Sequence, residues 1–160
     1  MQVFPLTSRT QISSPPVQAL NRVAERLLAV DDARRAFAAL TESLGLEPTN
    51  ARTHYLAGLA LGQVGAIDPA ERELESSLRY FPDSPEALSA LGQLARRQGN
   101  DQKAARFLSR AVAADPLNIE ALTSLIEVTA RLPEGEKDLP GLRVRLQSAT
   151  AARAAAPLSN

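Results

Sequence analysis

A set of positions recurs in this chain at a step of 34 residues, and that step constrains the fold more than any other feature. Gly58 returns as Gly92, Gly65 as Gly99, Ala70 as Ala104, Leu74 as Leu108 and Pro82 as Pro116. Asn50, Ser84 and Asn118, all residues of helix-capping type, keep the same step. A period of this length specifies a stack of helix pairs in which each unit buries its apolar face only against its neighbours. The expected class is all-α, a helical binding scaffold.

Each repeated position has a physical reason. Glycine inside a helix costs about 1 kcal/mol against alanine, so Gly58 and Gly92 at equivalent places imply a close approach of two backbones. Asn50, Ser84 and Asn118 can accept from a free N–H at a helix start. Pro85 after Ser84, and Pro69 after Asp68 with Glu71 beyond, read as cap, first-turn proline and acidic first turn. Pro48, Pro82 and Pro116 end the helices before them. Arms of roughly 13 to 15 residues are marginal alone, so stacking must supply the stability.

The central units read His54-x2-Ala57-Gly58-x2-Leu61, Ala70-x3-Leu74, Pro82 and Leu88-x2-Leu91-Gly92-x2-Ala95, Ala104-x3-Leu108, Pro116. This resembles the tetratricopeptide repeat, whose W-x2-L-G-x2-Y, A-x3-F, P pattern has the same step. The departures fall at the aromatic positions, where His54, Leu88, Leu61, Ala95, Leu74 and Leu108 stand instead of larger rings. The resemblance implies a right-handed α-solenoid of about three and a half helix-turn-helix repeats with a C-terminal capping helix. It extends over residues 17–132, with units starting near 17, 51, 85 and 119. Residues 1–16 read as an extended or disordered arm, in which Val3, Phe4, Leu6 and Ile12 are the apolar groups. Pro133 breaks the register, 133–140 reads as a polar loop, and 141–160 as the capping helix with a frayed tail. Leu139, Leu142, Leu146 and Ala149 supply the inner stripe of that helix, and Arg143, Arg145, Gln147 and Arg153 its polar face.

Reactive chemistry is sparse in the sequence. There is no cysteine and one histidine, His54, at a place where the family has a packing ring. A zinc site would have to rest on carboxylates almost alone. No glycine-rich phosphate loop follows a strand pattern, and Ser13, Ser14, Ser76 and Ser77 lack the context of a nucleophile. Asp31–Asp32 reads as a helix start, and Glu71, Glu73 and Glu75 as a solvated face. No catalytic residue, cofactor or metal is therefore expected. Eighteen basic residues balance eighteen acidic ones, so nothing calls for nucleic acid or an anionic membrane. No apolar run reaches the ~18 residues that a bilayer requires, and a secretory leader pattern is absent. The expectation is a cytoplasmic protein, with a monomer slightly favoured and self-association through the ends of the stack as the alternative.

The family resemblance places the site. In such arrays the first helices of successive units line a concave groove that holds peptides or partner segments. Carried onto this chain, the groove positions are Arg52, Tyr55, Leu59 and Gln63, then Ser89, Gln93, Arg96 and Arg97 beside Glu86. Thr123, Glu127 and Arg131 follow beside Glu120, and the first unit offers Gln18, Asn21, Glu25 and Leu28. Tyr55 is the natural anchor, a ring with a hydroxyl among polar neighbours. Arg96, Arg97 and Arg131 are expected to cluster at one edge, where they could hold a carboxylate. The family's chaperone-tail clamp is incomplete: Asn21 fits, but Glu25, Glu86 and Ala90 occupy the other clamp positions. The expected function is a non-catalytic scaffold or adaptor for a protein or peptide partner. The alternative is a substrate-holding accessory or truncated domain of a larger bacterial modifying enzyme. RNA binding by a helical-repeat array fits worse, since it favours a basic surface.

Overall fold

A computed structural model describes residues 13–155; residues 1–12 of the expected arm 1–16 and the last five residues lie outside the described part, and Pro15 and Pro16 belong to the first helix rather than to an arm. Eight α-helices and a short 3-10 turn are found among the described residues, and no strand. They are α1 (Pro15–Ala29), α2 (Ala33–Leu46), α3 (Ala51–Gln63), α4 (Ile67–Tyr80), α5 (Pro85–Arg97), α6 (Asp101–Ala114), α7 (Ile119–Thr129) and α8 (Leu139–Ala155). Each helix packs on the next, and the first helices also meet each other along the series α1, α3, α5 and α7. The second helices have no comparable mutual contact. The array therefore bends with its first helices on the inside.

The periodic residues explain the pairing. A β-carbon built on Gly58 would lie 2.6 Å from Leu74 Cγ and 3.2 Å from the Ala70 carbonyl oxygen. One unit on, Gly92 meets Leu108 Cγ at 2.6 Å and the Ala104 oxygen at 3.4 Å. Glycine is required there because α3 and α4, and then α5 and α6, touch backbone to side chain. Asn50, Ser84 and Asn118 accept from the peptide N–H three residues on, at 3.0, 3.2 and 2.9 Å. The second helices have their own caps at the same step, Asp32 and Asn100, which accept from Arg35 and Lys103. In the unit between them the cap position is Ala66, which has no side-chain bond. Asp68 is thus not the cap: α4 begins at Ile67, and Asp68 and Pro69 lie inside its first turn.

Three apolar clusters form between successive units. Leu56, Ala57 and Ala60 pack on Ala24, Ala36 and Leu40 of the preceding pair. Leu91 and Leu94 pack on Ala70 and Leu74, and Ala121, Leu122, Leu125 and Val128 on Leu108, Ala111 and Val112. In α1 the positions equivalent to Leu56 and Ala60 hold Arg22 and Arg26, both exposed. The first helix thus turns a charged face to the side where every later unit is covered.

At the other end the 34-residue step would start a second helix at residue 135. Gly65 and Gly99 have positive φ, 80° and 74°, at the turn between paired helices. The equivalent residue in the last unit is Pro133, which cannot adopt that conformation. The chain instead makes a 3-10 turn at Gly135–Lys137 and begins α8 four residues late. Ala149 is buried in α8, and Leu142 and Leu146 pack against the last cluster. The helix starts two residues before the expected 141 and continues to Ala155. Its outer residues Arg143, Gln147 and Arg153 are exposed, as a terminal helix requires.

Candidate functional site

The concave side holds a cleft of about 360 Å³ between α1, α3, α5 and α7. Its apolar floor includes Leu28, Leu59, Ala90 and Leu94. Of the groove positions expected from sequence, Tyr55, Leu59, Gln63, Ser89, Gln93 and Arg97 line it, together with Glu86 and Glu120. Arg52, Arg96, Thr123, Glu127 and Arg131 stand outside its lining. The small residues Gly58, Gly62 and Ala90 open the floor by their lack of bulk. Their spacing on the helix surface was the available signal for them.

Several polar groove positions are occupied in holding the array together. The Gln63 amide donates to the Leu28 carbonyl at 3.2 Å, and the Arg97 guanidinium donates to the Gly62 carbonyl at 3.0 Å. These two bonds are the same bond displaced by one repeat, since Leu28 and Gly62, like Gln63 and Arg97, are 34 residues apart. Gln93 donates to Ser124 Oγ at 2.6 Å and so joins α5 to α7. Thr123 is exposed and folds its hydroxyl back onto the Ile119 carbonyl at 2.8 Å.

Two of the three arginines expected to cluster at one edge, Arg96 and Arg131, are paired with carboxylates, as is Arg52; Arg97 is not. Arg96 meets Glu127. Arg131 reaches both oxygens of Asp101 at 2.7 and 2.6 Å. Arg52 donates twice to Glu25, at 3.0 and 2.6 Å. The bonds from Arg131, then its charge and that of Arg96, hold the Asp101 carboxyl below its ordinary range. Asp101 in turn raises Arg131, with Glu127 adding to the effect. Arg96 and Arg131 therefore do share one edge, as a neutralised network. Glu25 and Glu127, two of the carboxylates on the groove positions, are among these partners, and Arg97 stands apart from the network.

Asn21 also leaves the groove set. It is only 4% exposed, and its amide joins Thr53 Oγ1 at 3.0 Å while its carbonyl oxygen accepts from Ser43 at 3.0 Å. Ser43 and Thr53 lie 3.2 Å apart, which closes a buried polar triangle among α1, α2 and α3. His54 is a packing residue, as its position implied. It stacks on Tyr80 with centroids 5.6 Å apart, and its ring nitrogens face Glu73 at 2.7 Å and the Pro48 carbonyl at 2.9 Å. Glu71 pairs with Lys103. Glu71 and Glu73 are thus half-buried partners across helices rather than a solvated face; Glu75 alone of the three is exposed.

The groups left uncommitted stand at one end of the cleft. Tyr55 and Glu120 make no side-chain hydrogen bond with any described residue, and Glu86 only accepts from Ser84 Oγ at 3.0 Å. Burial pushes the Tyr55 phenol above its ordinary range. The Glu86 charge adds to this, Arg52 opposes it, and Glu120 and Glu25 add further. No group of three or more His, Cys, Asp or Glu arranged to hold a metal ion occurs among the described residues.

Residues 55–119 match the sequence model of the tetratricopeptide repeat. Over that stretch the chain carries tetratricopeptide repeats. Its fold is similar to that of MamA from Desulfovibrio magneticus RS-1, with a TM-score of 0.67 and 19% identity over 88% of this chain and 77% of that one. It is also similar to the first tetratricopeptide domain of human RPAP3, with a TM-score of 0.69 and 16% identity over 76% of this chain and 95% of that domain. The first tetratricopeptide domain of Spaghetti (RPAP3), also of this fold, has been solved bound to the HSP90 peptide SRMEEVD. At these identities the likeness is one of fold. A curated relative, the probable biofilm formation methyltransferase WspC of Pseudomonas putida, is 36% identical in an alignment 112 residues long that covers 65% of this chain. This chain spans 25% of that protein's length. No helix among the described residues is long and apolar enough to cross a membrane.

Proposed function

We propose that this tetratricopeptide array is a non-catalytic scaffold or adaptor that holds a peptide or partner segment in the concave cleft. The observation that carries the reading is the half-buried Tyr55 ring over an apolar floor, with no hydrogen-bond partner for its hydroxyl among the described residues. A ring of that kind is a common anchor, because it offers contact area at low entropic cost. RPAP3, of the same fold, has a peptide-bound structure, which supports the mode of binding without naming this chain's ligand. The expected setting is the cytoplasm, with a protein partner and no nucleic acid. Capture from lysate with wild type and with Tyr55→Ala tests it: a partner that is lost with the ring supports the cleft. Equal capture by both proteins would move binding to another face.

A second reading has its own support. The similarity to WspC favours a segment that serves a methyltransferase, by holding substrate or by positioning the enzyme. A methyltransferase reading frame continuous with or next to this one would favour that role, and unrelated neighbours would count against it.

A further inference from the structure

The charges of the cleft are sorted along its length. Glu86 and Glu120 occupy equivalent places, one repeat apart, in the first turns of α5 and α7. Both belong to the lining, and both are exposed. A first-turn carboxylate suits the helix dipole, which accounts for acids at these places; the lining around them is the further fact. Arg52 is the nearby cation that could offset them, and both its donor groups in use are turned to Glu25 on α1. Arg97, the one arginine of the lining, sits at the far end of α5 and is tied to the Gly62 carbonyl. Eleven residues of helix separate Glu86 from Arg97, about 16 Å along the axis.

The end with Glu86 and Glu120 is also the end with Tyr55. An aromatic face flanked by two carboxylates is attractive to a cation by two additive routes, the ring quadrupole and the full charges. The adjacent floor of Leu28, Leu59 and Leu94 accepts an apolar side chain. We propose that the cleft selects an extended peptide in which a lysine or arginine enters between Tyr55, Glu86 and Glu120, with an apolar residue beside it on the leucine floor. This rests on the reading of the concave cleft as a peptide site and adds the sign of its charge preference. Burial is the main reason that the Tyr55 phenol is raised, and the charges of Glu86 and Glu120 add to it against Arg52.

The test is display of random nonapeptides, selected on the purified protein, with the winners resynthesised and titrated by fluorescence anisotropy. Wild type is expected to enrich Lys or Arg next to Leu, Ile or Phe, and replacing that cation with Glu should weaken binding at least tenfold. The Glu86→Gln/Glu120→Gln variant should remove most of that tenfold difference, and more salt should narrow it. Circular dichroism melts identify any variant that fails to fold, and Glu86→Gln and Glu120→Gln alone serve as milder forms. Winners that carry acidic residues or no charge preference, yet are lost with Tyr55→Ala, would overturn the charge selection and leave the peptide site standing. Winners indifferent to Tyr55→Ala, no winners at all, or a cleft closed by a second copy in sedimentation would overturn both.

Discussion

A β-carbon on Gly58 would stand 2.6 Å from Leu74 Cγ, closer than any side chain tolerates. The contact joins the first and second helices of one unit, and Gly92 with Leu108 repeats it in the next. Cγ is the branch point of the leucine, so the side chain cannot swing its tip away to make room. Gly58→Ala is therefore expected to destabilise the fold by about 1–3 kcal/mol, despite alanine's better helix propensity. Gly45→Ala, where nothing lies within 4 Å, is the control and should cost nothing. Urea titrations of the three proteins give the comparison.

Ala66 occupies the cap position that Asp32 and Asn100 fill in the neighbouring units, with similar backbone angles. Ala66→Asn supplies the missing acceptor for the start of α4. A gain of about 1 kcal/mol is expected, read as a higher urea midpoint at unchanged slope; no gain would mean that the side chain cannot reach the peptide N–H.

Asp31 has φ of 60° at the place where Gly65 and Gly99 take their positive values. Aspartate tolerates this region better than most residues but still at a cost. Asp31→Gly should raise stability by up to about 1 kcal/mol, and thermal melting detects the change. A lower melting temperature would show that Asp31 contributes something the turn geometry does not explain.

The Asn21, Ser43 and Thr53 triangle is buried and satisfied within itself. Thr53→Val keeps the shape and strands the Asn21 amide, for an expected loss of about 1–3 kcal/mol. Replacing all three with apolar residues of similar size should recover much of that loss, because no polar group is then left without a partner. A triple variant no more stable than Thr53→Val would argue against this account.

Glu47 accepts hydrogen bonds from the start of α1. Bonds from Ser14, through its side chain and its peptide N–H, and then from Asn50, hold the carboxyl below its ordinary value of 4.5. A carboxyl with a lowered folded pKa stabilises fully above its unfolded value, and the contribution disappears as pH falls through the folded one. Wild type should therefore melt above Glu47→Gln at pH 7, and the gap should close toward pH 3. Asp101, lowered by Arg131, acts in the same sense and will steepen the acid loss of both proteins. A gap that stays constant with pH would remove Glu47 as its source.

What could be read from the sequence was whatever repeats. Gly58 and Gly92 gave the close helix pairs, and Asn50, Ser84 and Asn118 gave the starts of three helices, because each answers a local backbone need at a fixed step. Ala66 hid the second series of caps: with one member missing, Asp68 before Pro69 looked like the better start. The pairing of the arginines was less accessible. Arg52 with Glu25, Arg96 with Glu127 and Arg131 with Asp101 are separated by 27, 31 and 30 residues. Those spacings are nearly, but not quite, one repeat, and depend on how far each side chain leans across to the next unit. Asn21 was misplaced for a related reason. Its position faces the groove in regular units, but Ser43 and Thr53 offer it a buried partner set that the repeat pattern does not specify.

Arg22 and Arg26 on α1 bear on how the molecule behaves at high concentration. A second copy that tried to prolong the stack from this side would have to strip water from two guanidinium groups and supply carboxylates to meet them. Hydrophobic collapse alone does not compensate for that loss of hydration. Two hydrated guanidinium groups make that flank of α1 a poor surface for the apolar stacking of another helix pair.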